Sequence, residues 1–247
     1  MQIYSLPASY GAAWLRDGWR LLKRQPLGLP AMVVLYLFML LLPATLPYVG
    51  VALSGVLGPF ATVGLMGACR DVSAGRAPMP TVFAAPFQDA ARRQLLFRLG
   101  VINAAMLMLV VSVARLLAGA APAEQPQSLD ELPLSELALQ LLLFAPVMIL
   151  MWFAPLLAGW HGHGPAKAMF ASAVACWRNK AALTVYGLLA FAILVGVSLL
   201  TVSLASLLTS SRQLASIVLA PVGLALLTLI QASFYPMYRS IFSDGVR

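Results

Sequence analysis

A chain of 247 residues in which 61% are hydrophobic and only 10% charged has too little polar surface to cover a soluble globule, and a mean hydropathy of +0.89 says the same. The net charge of +8 does not mark a nucleic-acid binder, because the bases sit at the ends of apolar runs rather than along one polar face; anionic lipid headgroups are the counter-charge they fit. Cys69 and Cys176 lie at matching ends of membrane runs, on the side assigned below to the cytosol, and imply no disulfide framework.

Ser9 stands where it caps a first helix, with Tyr10, Trp14, Gly18 and Leu21 along one side and Arg16, Arg20 and Arg24 recurring every four residues on another. This is the pattern of a helix lying in the membrane interface. The apolar run after it is too long for the core of a signal peptide and leads at once into a second run, so no cleavage is expected. A first span is predicted from about Leu27 to Tyr48 and a second from about Val51 to Cys69, with Pro43, Pro47 and Gly50 supplying the turn. Two crossings need roughly 40 residues at about 1.5 Å each, which this stretch just supplies. Gly50, Ser54 and Gly58, continued by Gly64 and Ala68, form a small-residue stripe that lets another helix approach, and Pro59 predicts a kink.

After a polar loop from Arg70 to Pro80, Thr81 caps a second amphipathic helix with Phe83 and Phe87 one turn apart and Arg92, Arg93 and Arg98 at its far end. The third span, about Leu99 to Ala118, leads into a proline-rich stretch carrying Glu124, Asp130, Glu131 and Glu136, which is expected to be an external loop. The fourth, about Leu137 to Trp160, should bend at Pro146 and Pro155. Pro165 opens a third amphipathic helix, whose apolar stripe reads as Met169, Phe170, Ala173, Val174 and Trp177, with Arg178 and Lys180 at its end. A fifth span from about Ala181 to Leu208, a turn at Thr209 to Gln213, and a sixth span from about Leu214 to Tyr238 follow. The fold class is therefore all-α: six transmembrane helices with three interfacial amphipathic helices, in one integral membrane domain.

Orientation follows from the bases. Of 16 Lys and Arg residues, all but Arg115 and Arg212 fall on the side of both chain ends, so the positive-inside rule places those ends in the cytosol of a bacterial inner membrane. The same grammar of mixed helix, basic cluster and apolar run occurs in units of about 1–78, 79–163 and 164–247. Phe153-Ala-Pro155 precedes Gly164 at the spacing at which Phe234-Tyr-Pro236 precedes Gly245. A threefold repeat of parallel units about an axis along the membrane normal is one reading, and a chance likeness of ordinary membrane-protein segments is the other.

Several motifs together carry a family likeness: Pro7-x-x-x-Gly11, Trp14 followed by Arg24-Gln25-Pro26, the run Gly64 to Arg70 closing the second span, and the Phe-Ala-Pro of the fourth. To these are added the series Ala168, Ser172, Cys176, Asn179 and the closing Tyr235-x-x-Tyr238-Arg239-x-Ile241-Phe242. Over most of its length the chain resembles an uncharacterised family of bacterial multi-pass inner-membrane proteins, which implies six helices and the plasma membrane but no biochemical activity. The layout is also similar to the membrane part attached to some bacterial glycerophosphodiesterases. These 247 residues hold no soluble catalytic domain, so the likeness implies no phosphodiesterase activity.

Polar groups inside apolar spans are costly and are the first place to look for chemistry. The intramembrane candidates are Asn103, Arg115, Gln140 and Gln231, with no carboxylate at mid-span. Arg115 lies about one turn from the outer end, where it reads as a snorkelling or Glu136-paired residue; the amides read as interhelical hydrogen-bond partners. His161 and His163 supply only half of a usual zinc set. Neither Ser198 nor Ser203 has a membrane-depth base to activate it, and no phosphate-binding loop is present. The expectation is no cofactor, no metal and no catalysis. The candidate residues for lipid headgroups are Arg16, Arg20, Arg24, Arg92, Arg93, Arg178 and Lys180, facing anionic lipid on the cytosolic leaflet. Three function classes follow: a non-catalytic protein contacting lipid, a membrane-protein partner or a second copy; a transport or channel component for a small solute; and, least supported, a lipid enzyme.

Overall fold

Hydrocarbon leaves a backbone no hydrogen-bond partner but itself, which confines single spans to helix. Every regular element among the described residues is indeed helical. The computed structural model describes residues 2–47, 49–118, 134–208 and 212–242. The helices are α1 (Tyr10–Arg24), α2 (Gly28–Ala44), α3 (Gly50–Ser73), α4 (Ala85–Gln88), α5 (Ala90–Ala118), α6 (Leu134–Met151), α7 (Ala154–His161), α8 (Pro165–Arg178), α9 (Lys180–Leu208) and α10 (Arg212–Ile241), with a 3-10 turn at Pro80–Phe83. Five stretches are long and apolar enough to cross a membrane, and a sixth is counted if α1 and α2, which meet at a 105° bend, form one broken span. The expected loop holding Glu124, Asp130 and Glu131, most of the turn before α10, and the end beyond Phe242 lie outside the described residues.

Two sequence expectations need correction. Ser9 does not cap α1 through its side chain; its own backbone is already helical, so the hydroxyl is not aimed at the first free N–H groups. The second amphipathic helix is replaced by the 3-10 turn and the four-residue α4. Asp89 then leaves helical geometry, and its Oδ1 accepts the Ala91 and Arg92 N–H groups at 2.9 and 3.4 Å. That cap starts α5 well before the predicted Leu99, so Arg92 and Arg93 open the span rather than close a preceding helix. On α8, Phe170 and Trp177 of the apolar stripe are exposed, and the packed residues are the small series Ala168, Ser172 and Cys176, with Asn179 just beyond the helix. Close packing between helices in a membrane favours small residues, and large rings are left for hydrocarbon.

The chain divides into two compact units, one formed by Met1–Tyr36, Gly64–Val82 and Ala175–Arg247, the other by Leu37–Val63 and Phe83–Val174. In the first, α1 lies on α9 and α10, which also pack on each other. Gly18 allows the approach: a methyl there would stand 2.8 Å from the Ser233 backbone. Trp14, 1% exposed, anchors the contact, its Nε1–H donating to Ser240 Oγ at 2.9 Å and its ring edge-on to Tyr186 at 6.2 Å. Between α9 and α10, Tyr186 Oη and Ser233 Oγ share a hydrogen bond of 2.7 Å. The chain before α1 is held by Asn179: its Oδ1 accepts the Leu6 N–H and its Nδ2 donates to Tyr4 O, both at 2.9 Å.

In the second unit, α5 packs on α4, α6 and α7. It also meets the first part of α3, where a methyl on Gly100 would collide with Val56 O and one on Gly55 would stand 2.8 Å from Ala104 Cα. Asn103 Nδ2 donates to Gly55 O across this contact at 2.9 Å. Ser54 Oγ donates to Leu40 O at 2.7 Å, closing the hairpin made by α2 and α3. Phe60 and Phe87 stack with centroids 4.4 Å apart. The fourth predicted span is broken between α6 and α7. Phe153 N–H, which would donate to Ile149 O in an unbroken helix, donates to Ser172 Oγ at 3.0 Å, and that hydroxyl donates to Ile149 O at 2.8 Å. A hydroxyl inserted into the ladder, next to Pro155 with its missing N–H, is the cause of the break.

Candidate functional site

α1 has two unlike faces. Gly11, Trp14, Leu15, Gly18, Leu21 and Leu22 are buried at the three- and four-residue spacing of one helical stripe, while Arg16, Trp19, Arg20, Lys23 and Arg24 are exposed. Burying a large apolar side chain stabilises by about 1.5–3 kcal/mol, so the packed stripe holds the helix down without help from the bases. The basic residues are thus displayed.

Most of the predicted headgroup residues also make bonds of their own. Arg20 pairs with Asp17 at 2.8 Å, both exposed, a pair worth about 1 kcal/mol or less. Arg24 Nη1 donates to Ser73 O at 3.3 Å, at the carbonyl end of α3 where a cation is favoured by the helix dipole. Lys23 Nζ stands 5.4 Å over the Trp19 ring. Arg92 pairs with Asp89 at 3.2 Å and Arg93 Nη1 donates to Phe87 O at 3.2 Å. Arg178 Nη1 donates to Ile3 O at 3.1 Å, tying down the chain before α1, and Lys180 Nζ stands 4.9 Å over Trp177. Of the seven, Arg16 and Lys180 make no ion pair or hydrogen bond among the described residues, and Arg16 is the one of the two without a ring contact there.

Beside Arg16 opens an apolar groove of about 510 Å³ between α1, α9 and α10, lined by Leu15, Trp19, Ile193, Val197, Val222, Ala225, Leu226 and Leu229. No residue pattern announced it, because the lining combines ordinary apolar positions from three segments far apart in the chain. Two of the four intramembrane candidates have described side chains. Asn103 binds the α3 backbone, Gln231 is half-buried on α10, and the side chains of Arg115 and Gln140 lie outside the described residues. Ser172 and Asn179, which bridge backbone breaks, were visible only as members of the small-residue series of α8.

His161 ends α7, and Gly162 turns the chain in the left-handed region at φ 65°. The His161 and His163 ring centroids are 6.1 Å apart, and no group of three metal-ligating side chains occurs among the described residues. Burial lowers the His163 pKa from its ordinary value, with the neighbouring Lys167 and His161 charges acting in the same direction.

An all-helical chain with this many membrane-length apolar helices is a multi-pass membrane protein. It belongs to the family of a probable inner membrane protein of Burkholderia thailandensis, with which it shares 36% identity over 255 aligned positions, covering 98% of this chain and 94% of that protein. No family model matches the chain, and no solved structure matches it. The relative's name states no activity, and the likeness to bacterial inner-membrane proteins read from the motifs is in keeping with it.

Proposed function

We propose that this protein is a non-catalytic inner-membrane component that gathers anionic lipid on the cytosolic leaflet, with the described basic connections and the ends of this chain on that side. The observation that carries the reading is the division of α1: an anchored apolar stripe on α9 and α10, and an outward row of Arg16, Arg20 and Lys23 around Trp19. A juxtamembrane base contributes about 1 kcal/mol of attraction to an anionic surface, so the row acts together where one residue would not. Exposed Phe170 and Trp177 on α8, with Lys167 and Lys180 nearby in the chain, support a second interfacial helix of the same kind. The three-unit arrangement belongs to this proposal as well, as does contact with a membrane-protein partner or a second copy through the apolar outer faces.

The test is lipid retention. Arg20→Gln with Lys23→Gln leaves the Arg24 bond to Ser73 intact, and co-purified lipid is measured by mass spectrometry. The wild type retains more phosphatidylglycerol relative to phosphatidylethanolamine than the variant, and the difference shrinks as salt screens the surface. An identical lipid complement would move the preference to the second reading, a transport or channel component. That reading is favoured by the broken α6 and α7, since interrupted helices line many transport paths. Against it, Phe153 and Ala154 at the break are fully buried. Release of entrapped carboxyfluorescein from proteoliposomes would support transport.

A further inference from the structure

The groove between α1, α9 and α10 has walls of one chemical kind and a single charged group. Ile193 and Val197 lie one turn apart on α9, and Val222, Ala225, Leu226 and Leu229 follow a three- and four-residue spacing on α10, so both walls run along the helix axes. α1 packs against Ser233 through Gly18 and contributes Leu15, Arg16 and Trp19 to the lining. Nothing else in the lining is ionisable. A water-soluble ligand entering it would lose its hydrogen bonds with none returned. Size narrows the choice further. From Val222 to Leu229 α10 rises about 10 Å, so about 510 Å³ corresponds to a cross-section near 50 Å², less than the roughly 80 Å² of a helix about 10 Å across.

We propose that this groove is a specific lipid site, which takes the acyl chains of one anionic glycerophospholipid along α9 and α10 and its phosphate on the Arg16 guanidinium. The proposal deepens the lipid-gathering reading and rests on it. Charge complementarity selects the occupant: Arg16 is the arginine among the headgroup candidates whose fork of N–H donors is not engaged among the described residues, and that fork matches a phosphate in two-point geometry. The neighbouring Arg20 is already paired with Asp17 and Lys23 lies over Trp19, so neither competes for the same headgroup. Trp19 at the rim is the residue type that sits at headgroup depth.

The experiment is native mass spectrometry of the detergent-solubilised full chain, delipidated and then titrated with phosphatidylglycerol or phosphatidylethanolamine of identical acyl chains. The wild type holds one phosphatidylglycerol per chain in preference to phosphatidylethanolamine, and that copy persists at high salt. Arg16→Gln lowers the preference about tenfold or more, as loss of a charge-assisted pair requires, and Arg16→Lys restores part of it. Ala225→Trp fills the groove and removes the bound copy while leaving the salt-sensitive enrichment that depends on Arg20 and Lys23. Should Ala225→Trp fail to fold, the Arg16 pair of variants decides alone, because Arg16 is exposed and outside the packed stripe. Equal retention by wild type, Arg16→Gln and a folded Ala225→Trp overturns the site without touching the wider reading. Loss of the Arg20 and Lys23 effect with the single copy intact overturns the wider reading instead. A second chain bound in place of lipid, or equal uptake of both lipids, also overturns the site.

Discussion

Ser172 and Asn179 show how single polar groups are used where the helices break. In Ser172→Ala the two bonds that bridge Ile149 and Phe153 are lost, leaving the buried Phe153 N–H without its acceptor, a change expected to cost about 1–3 kcal/mol and to lower the unfolding midpoint in detergent. An unchanged midpoint would mean that the ladder closes by itself. Asn179→Ala removes the acceptor of the Leu6 N–H and the donor to Tyr4 O, so the Leu6 amide should exchange with deuterium faster while amides in α10 keep their protection. His163 supplies a pH-dependent case. Its Nδ1 is buried without a hydrogen bond among the described residues, and its folded pKa lies below the unfolded value of 6.5. The unfolded chain therefore takes up the proton first, and the stability His163 contributes is complete above about 6.5 and is lost as pH falls through the folded pKa. An NMR titration of His163 placing its midpoint above 6.5 would contradict this.

At the scale of elements, the contact between α3 and α5 is set by Gly55, Gly100 and Ala104. Gly100→Ala would force backbone apart and should destabilise by about 1–3 kcal/mol, whereas Gly58→Ala, whose methyl would stand 3.7 Å from Asn103 Nδ2, should be tolerated. Comparable midpoints for the two variants would show that the helices separate at little cost. Here the limits of sequence reading are physical. The stripe through Gly50, Ser54 and Gly58 meets α2 at Gly50 and Ser54, while the closest approach of α5 is at Gly55, off that stripe, because α3 carries small residues on more than one side and only the partner decides which is used. The apolar spans were legible because hydrocarbon imposes about 20 residues per crossing on any chain. On α8 the packing partner was less legible than the stripe: Phe170 and Trp177 stay exposed, and the tight interface goes to the small residues Ala168, Ser172 and Cys176. The break before α5 turns on Asp89, one cap residue that periodicity does not detect. The groove was not legible at all, since it exists only once α1, α9 and α10 meet.

For the whole molecule, the strongest sequence signal is the sidedness of the bases, and it makes a prediction that the structure sharpens. Arg76 is exposed in the turn after α3, and the native Cys69 and Cys176 are buried, so an introduced cysteine is read against little background. With the ends of this chain in the cytosol, Gln127→Cys in the acidic stretch should react with an impermeant thiol reagent in intact cells, and Arg76→Cys should react only after the membrane is opened. The 105° bend between α1 and α2 gives the experiment its force. If α1 lies along the cytosolic interface and α2 crosses alone, α3 returns the chain to the cytosol at Arg76. If α1 and α2 instead formed a re-entrant pair on one side, α3 would carry Arg76 to the opposite side from the start of α1. A cysteine at Gln2, held near α10 by the neighbouring Tyr4 N–H to Ile241 O bond, should therefore share the protection of Arg76→Cys. Labelling of Arg76→Cys in sealed cells with Gln2→Cys protected would make the first hairpin re-entrant and remove α2 as a crossing, while α1 with Arg16, Arg20 and Lys23 stayed on the side of Gln2; labelling of Gln2→Cys in sealed cells is the result that would remove the cytosolic leaflet as the place where those bases meet their lipid.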